Sequence, residues 1–150
     1  MLLITTCRKP CTNTRVFART LSNLVPCSEY APRGKGNIYS LIEKARQKGL
    51  RRIAIVSEMK GNPSEIAFIK LDKRNWDWAE SFKIKSVKFE KQKDRITDVN
   101  VEGKLKAAIT DLFDINESQE PELTIEADSK EIRFGDKMNI KLESYKKSEE

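Results

Sequence analysis

Leu2, Leu3 and Ile4 form a continuous apolar run that passes into Thr5 and Thr6. That is the pattern of a strand buried on both faces. From Thr14 to Val25 the period becomes helical. Val16, Phe17, Thr20, Leu21, Leu24 and Val25 fall on one side, and Arg15, Arg19 and Ser22 on the other. Thr12 or Asn13 stands where the helix cap is expected. Ser28–Ala31 reads as a short strand, followed by the turn Pro32–Gly36. Asn37–Lys48 reads as a second helix, capped by Asn37, stopped at Gly49, and buried along Ile38, Leu41, Ile42 and Ala45. Ile53–Ser57 is a continuous apolar strand; Lys60–Pro63 is a turn, and Glu65–Leu71 another strand.

Beyond residue 72 the pattern is poorer in helix. Phe82–Phe89 alternates, but its phase slips between Ile84 and Val87, which predicts a bulge. Ile96–Val101 reads as a strand and Gly103–Phe113 as a helix with Leu105, Ala108, Ile109 and Leu112 on one face. Asn116–Glu122 is a polar, acidic linker, and Leu123–Ala127, Glu131–Phe134 and Met138–Leu142 alternate as strands. The expected fold class is therefore α/β (α+β): two sheet-plus-helix halves in one compact unit. The expected organisation is a single domain over residues 1–150, with a basic first half (1–71), a mildly acidic second half (72–145) and a frayed tail (146–150).

Charge changes the picture more than composition does. The net charge is +6, but residues 1–63 hold 12 Lys/Arg against three Glu, a net +9, and residues 64–150 hold 17 Lys/Arg against 20 Asp/Glu, a net −3. Such asymmetry points to an oriented binder of polyanions. No apolar run approaches the roughly 20 residues of a membrane span. Met1–Ile4 is too short for a signal peptide, and the basic cluster follows rather than precedes it. Cys7, Cys11 and Cys27 are odd in number and without framework spacing, which reads as reduced thiols in a cytoplasmic protein.

The chain contains no histidine, which removes Ser–His and Cys–His nucleophilic systems and the commonest metal ligand. Arg33-Gly34-Lys35-Gly36 lacks the spacing and the Lys-Ser/Thr ending of a P-loop. The expectation is no enzyme, no cofactor, no metal and no small-molecule substrate. Trp76 and Trp78 lie two apart, so an extended backbone puts both rings on one face. They read either as a stacking platform for unpaired bases or as an apolar plug over the sheet edge.

The densest chemistry lies where the first strand feeds the first helix. Arg forks, Thr hydroxyls and helix N–H groups there all suit phosphate. The same stretch resembles a known family. Thr5, Thr6, Arg8, Lys9 and Pro10, followed by Thr14, Arg15, Phe17, Ala18, Arg19 and Leu21, resemble the opening of the Brix domain family of ribosome assembly proteins. Arg33–Gly36, Asn37–Lys44 and Ile55–Pro63 extend the resemblance, which is specific to about residue 70. Cys7, Cys11, Thr12 and Asn13 replace the Ser and the longer basic run that members often carry there. The length resembles the minimal archaeal form.

The resemblance implies two halves, each similar to the anticodon-binding domain of some tRNA synthetases, and a non-catalytic protein that binds ribosomal RNA precursor and assists its folding or processing. Other ribosome assembly proteins are the implied partners. Expected phosphate contacts are Arg8, Lys9, Arg15, Arg19, Arg33 and Lys35, with hydroxyl contacts from Thr5, Thr6 and Thr12, and further contacts from Lys60 and Asn62. Two alternatives remain open at this point: an anticodon-binding-like module acting on tRNA or with a synthetase, and a scaffold for an acidic protein.

Overall fold

The apolar run at the start of the chain becomes an interior strand. In the computed structural model, which describes residues 1–146, the elements follow the order β1 (Leu2–Thr6), α1 (Thr12–Leu24), β2 (Ser28–Tyr30), α2 (Ile38–Gln47), β3 (Arg52–Met59), β4 (Asn62–Leu71), β5 (Trp76–Phe89), β6 (Val99–Glu102), α3 (Lys106–Leu112), β7 (Leu123–Ala127), β8 (Glu131–Phe134) and β9 (Met138–Lys146). The nine strands make one mixed sheet, ordered β2-β1-β3-β4-β5-β9-β8-β7-β6.

The α/β class with two sheet-plus-helix halves is what the structure shows. In the first half β1 runs parallel to β3, and β4 and β5 follow antiparallel. In the second half β6 runs parallel to β7, and β8 and β9 follow antiparallel. The same succession of orientations thus occurs twice without a letter-level repeat. The first half adds β2 at its edge, parallel to β1. The last strands of the two halves, β5 and β9, pair antiparallel and make the seam.

Strand alternation sends side chains to two faces. On one face Leu2, Ile4, Ala54, Val56, Ile66, Phe68 and Phe82 pack with Phe17 and Leu21 of α1. The sheet curls so that this core continues into the second half, where Phe113 beside α3 lies edge-on to Phe68 at 5.4 Å and to Phe134 at 6.4 Å. Burying each such ring contributes about 1.5–3 kcal/mol. On the other face Leu3, Ile53, Ile55, Ile69 and Leu71 pack beneath Leu41, Ile42 and Ala45 of α2. The two first-half helices therefore lie on opposite sides of the sheet.

Several boundaries differ from the sequence reading for physical reasons. β5 starts at Trp76, six residues before Phe82, because β4 pairs with it back to its own end at Leu71. The expected bulge is present, with register shifts on either side of Ile84. Ser22 is buried, not on the solvent side of α1, because the Ser28 hydroxyl reaches over to its carbonyl at 2.8 Å. Lys146 does not begin a frayed tail: it pairs with Ser81 in β9, and residues 147–150 lie outside the described residues.

Candidate nucleic-acid interface

Three loops converge at the end of the sheet where the parallel strands β1 and β3 finish. The Cys7 amide donates to the Val56 carbonyl at 2.9 Å and carries the chain out of β1. The loop that follows presents Arg8 and Lys9, both exposed. Lys9 adopts a positive φ of 52°, so the backbone doubles back there before Pro10. Arg33, from the turn after β2, lays its guanidinium on the Thr6 carbonyl at 3.4 Å. Burial and the neighbouring Arg8 charge pull Arg33 below the ordinary guanidinium value, yet it remains a cation at neutral pH. The β3–β4 hairpin supplies the third loop. Lys60 and Gly61 have φ of 53° and 79°, the two-residue turn that needs positive φ at both positions. Its Asn62 side chain accepts a hydrogen bond from Asn13 Nδ2 at 3.2 Å, tying the hairpin to the first turn of α1.

Two parts of the expected site are corrected. Thr5 and Thr6 are fully buried at the end of β1, paired with Ile55 and Val56 of β3, so their hydroxyls are not available to an RNA. The Thr6 hydroxyl donates to the Cys7 carbonyl at 2.9 Å instead. The N-terminus of α1 is likewise not an open anion site, and neither Thr12 nor Asn13 caps it. The helix begins at Thr12, two residues earlier than its periodicity suggests. Glu58 of β3 takes the capping role: its carboxylate accepts the Cys11 amide at 3.0 Å and the Thr14 hydroxyl at 2.7 Å. These bonds hold the Glu58 carboxyl below its usual range. Nearby, burial and then the Glu58 charge push the Cys7 thiol up, so it stays protonated.

The remaining candidates separate into two groups. Lys35, Thr12, Lys60 and Asn62 are exposed at the same sheet end as Arg8, Lys9 and Arg33, where Lys35 and Lys60 sit in turns. Arg15 and Arg19 are exposed on the outer side of α1, across the sheet from α2. Arg15 reaches Thr12 Oγ1 at 3.4 Å, and Arg19 stacks over the Tyr30 ring, 5.3 Å from its centroid.

A cleft of about 860 Å³ opens from the loop end across the part of the sheet that α2 leaves bare. Ile55, Ser57, Glu65, Ala67, Ala79 and Ser81 make its floor; Arg8, Arg33, Tyr39, Asp77, Trp78 and Lys146 stand around it. Trp76 and Trp78 do share a strand and approach edge-on at 6.2 Å. Their fates differ. Trp76 packs on the apolar cluster under α2, as a plug would, and touches Tyr39 edge-on at 6.0 Å. Trp78 and Tyr39 remain 46% and 69% exposed. Sequence reasoning misses Tyr39, although it is the large aromatic of the second helix that falls off the buried stripe. It misses Glu58 because the partners of that carboxylate lie more than 40 residues away.

The charge asymmetry also resolves in space. Arg51, Arg52 and Lys70 lie at the opposite end of the first-half sheet, where β3 begins, and all three pair with second-half acids. Arg51 meets Asp114 at 2.6 Å, and Asp111 takes Arg52 at 3.0 Å and Lys70 at 2.6 Å. The N-terminal amine also pairs with Asp114. Among the described residues, Arg8, Lys9, Arg15, Arg19, Arg33, Lys35 and Lys60 form no ion pair. These seven cations thus present unneutralised positive charge at the loop end and along α1. Among the described residues, no three His, Cys, Asp or Glu side chains cluster as a metal site would require, and no helix is long and apolar enough to cross a membrane.

No protein-family model matches the chain. It is 35% identical over 92 residues to a probable Brix domain-containing ribosomal biogenesis protein of Thermococcus kodakarensis, covering 61% of this chain and 44% of that protein. A protein of the same description from Pyrococcus horikoshii is 35% identical over 92 residues, 61% of this chain and 41% of its own length. The match thus spans less than half the length of these curated relatives. The fold is similar to that of a probable ribosomal biogenesis protein from Aeropyrum pernix K1, with a TM-score of 0.76 at 22% identity, covering 99% of this chain and 97% of that one. It is also similar to Mil, an archaeal Imp4-like protein, with a TM-score of 0.75 at 22% identity, covering 99% of this chain and all of that one. The Brix resemblance is borne out: curated relatives at 35% identity bear the Brix name, and the fold is similar over nearly the whole chain to those of a probable ribosomal biogenesis protein and an Imp4-like protein.

Proposed function

We propose that this protein acts in ribosome biogenesis as a single, non-catalytic RNA-binding domain that holds ribosomal RNA precursor by its phosphates. The observation that carries this reading is the convergence of Arg8, Lys9, Arg33, Lys35 and Lys60, free of acidic partners, on the end of the sheet where β1 and β3 stop. Backbone recognition of this kind positions an RNA without reading its sequence, which suits a chaperone of folding or processing. The absence of histidine from the chain is consistent with binding rather than acyl or phosphoryl transfer. The curated relatives' description as ribosomal biogenesis proteins supports the precursor as cargo. The cytoplasm is where such an encounter would take place in an archaeal cell.

Crosslinking in cells followed by sequencing of the attached RNA tests the reading. Precursor ribosomal RNA should dominate the recovered fragments. Recovery of tRNA would instead favour the anticodon-binding-like alternative. A partner retained after nuclease treatment, with no RNA recovered, would favour the protein scaffold.

A further inference from the structure

We infer that the cleft beside α2 is a subsite for an unpaired nucleotide, with Tyr39 and Trp78 receiving the base and Arg8 and Arg33 its phosphate. The inference rests on the RNA-binding reading and deepens it, because phosphate contacts alone leave paired and unpaired RNA equivalent.

Three observations carry it. First, Tyr39 and Trp78 are 69% and 46% exposed on a rigid mounting. Trp76 sits between them, edge-on to Tyr39 at 6.0 Å and to Trp78 at 6.2 Å, and is itself packed on the apolar cluster under α2. The turn leading into β5 is pinned to α2 by Arg46, which donates to the Asn75 carbonyl at 2.9 Å. The two outer rings are thus held in place while their surfaces stay wet, an arrangement that a stacked base would relieve.

Second, the charge along the cleft is graded. Its loop end carries Arg8 and Arg33 against Glu65, a net positive charge, whereas Asp77 lies at the other end beside the aromatics and Lys146 stands on the β9 side. Phosphates are attracted to the first region and repelled from the second, while a neutral base is tolerated in both. Carboxylates can in addition accept hydrogen bonds from base amino groups. A duplex would lay further phosphates along the acidic part; a splayed single strand would not.

Third, the space suits the occupant. About 860 Å³ over small floor residues such as Ser57, Ala67, Ala79 and Ser81 accommodates a nucleotide or two.

The test uses a mixed-sequence 12-mer RNA with no self-complementarity, free or annealed to its complement. The free strand should quench tryptophan fluorescence and shield it from acrylamide. Tyr39→Ala and Trp78→Ala should each weaken the free strand by about 5-fold or more, from the loss of stacking on each base. Tyr39→Phe and Trp78→Phe should restore most of the affinity. The duplex should be indifferent to all four. Folded alanine variants that bind the free strand as wild type does would overturn the subsite and leave phosphate binding standing. So would wild-type tryptophan that remains open to acrylamide in the complex, an outcome that does not depend on any variant folding. Equal losses for strand and duplex would also overturn it. A wild-type dimer that dissociates on Trp78→Ala, with RNA affinity unchanged, would reassign the ring to a second copy of this chain. Failure of the wild type to bind either RNA at low salt would remove the RNA-binding reading itself.

Discussion

The carboxylate of Glu58 accepts the hydroxyl of Thr14 at 2.7 Å, so the N-terminus of the first helix is capped by a strand that follows it by more than 40 residues. The same carboxylate accepts the Cys11 amide. One acidic side chain thereby satisfies helix donors, offsets the helix dipole and occupies the spot that a phosphate would otherwise favour.

Glu58→Gln keeps the shape of this cap and removes its charge. At pH 7 it should cost about 1 kcal/mol, the usual scale of a lost cap. Because the folded-state carboxyl titrates below its ordinary value of 4.5, the stabilisation is present at neutral pH and disappears as pH falls through and below that value. Urea melts at pH 7 and pH 3.5 should show a gap between wild type and variant that narrows with acid. Equal stability of wild type and variant at pH 7 would mean that shape, not charge, provides the cap.

How much can be read from the chain depends on whether the deciding partner is local. Leu2–Thr6, Leu123–Ala127 and Glu131–Phe134 have the boundaries that their own patterns predict, and Asn37 caps α2 through a local bond from the Ser40 amide at 3.0 Å. The start of α1, the burial of Ser22 and the early start of β5 are hidden from local pattern because Glu58, Ser28 and β4 impose them from elsewhere. At the site, the cations of the loop end are legible from residue type alone. Thr5 and Thr6 show the conflict between two local signals: the buried-strand pattern of Leu2–Thr6 holds, and the contact that their hydroxyls suggest does not. Tyr39 joins the cleft only once α2 and β5 stand side by side.

The acids of the α3 region clamp the two halves together. Burial alone would raise Asp111 and Asp114. Hydrogen bonds and charges from Lys70 and Arg52 on the first, and from Arg51 and the N-terminal amine on the second, outweigh it, leaving both carboxyls below their usual range. Asp111→Asn with Asp114→Asn should therefore cost about 1–2 kcal/mol at neutral pH and low salt, the discounted worth of partly exposed pairs acting as a network. The cost should shrink with added salt and vanish as pH drops below the ordinary aspartate value of 3.8. Thermal melts across salt and pH would measure it, and an unchanged melting temperature in the double variant would show that the clamp is ornamental.

Gly103 is irreplaceable on geometric grounds. Its φ is +107°, and a Cβ there would lie 2.1 Å from the Ala127 carbonyl oxygen. That carbonyl also accepts the Leu105 amide at 3.0 Å, so it cannot swing aside without losing the bond that leads into α3. Gly103→Ala should destabilise by at least about 2 kcal/mol, combining backbone strain with steric displacement of β7. Gly34 also has positive φ, at +66°, but its Cβ position meets no atom within 4 Å, so Gly34→Ala should lose only about 1 kcal/mol. Chemical denaturation of the two variants side by side should rank them in that order.

Salt dependence distinguishes the loop-end interface from general surface charge. Removing one phosphate-binding cation should flatten the slope of log affinity against log salt by roughly 0.7–0.9. Arg8→Gln, Lys9→Asn and Arg33→Gln remove three unpaired cations while sparing the backbone: asparagine tolerates the positive φ of Lys9, and glutamine can still donate toward the Thr6 carbonyl. Together they should flatten the slope by about two to three units at that value per cation. Lys85, Lys130 and Lys141 line a hollow with Asp128 and Glu131, so a phosphate arriving there meets two acids as well as the bases. Lys130→Gln with Lys141→Gln should leave the slope nearly unchanged. Equal flattening by both sets would mean that the RNA crosses the seam between β5 and β9, and that the pairing of second-half acids with Arg51, Arg52 and Lys70 does not confine binding to the first half.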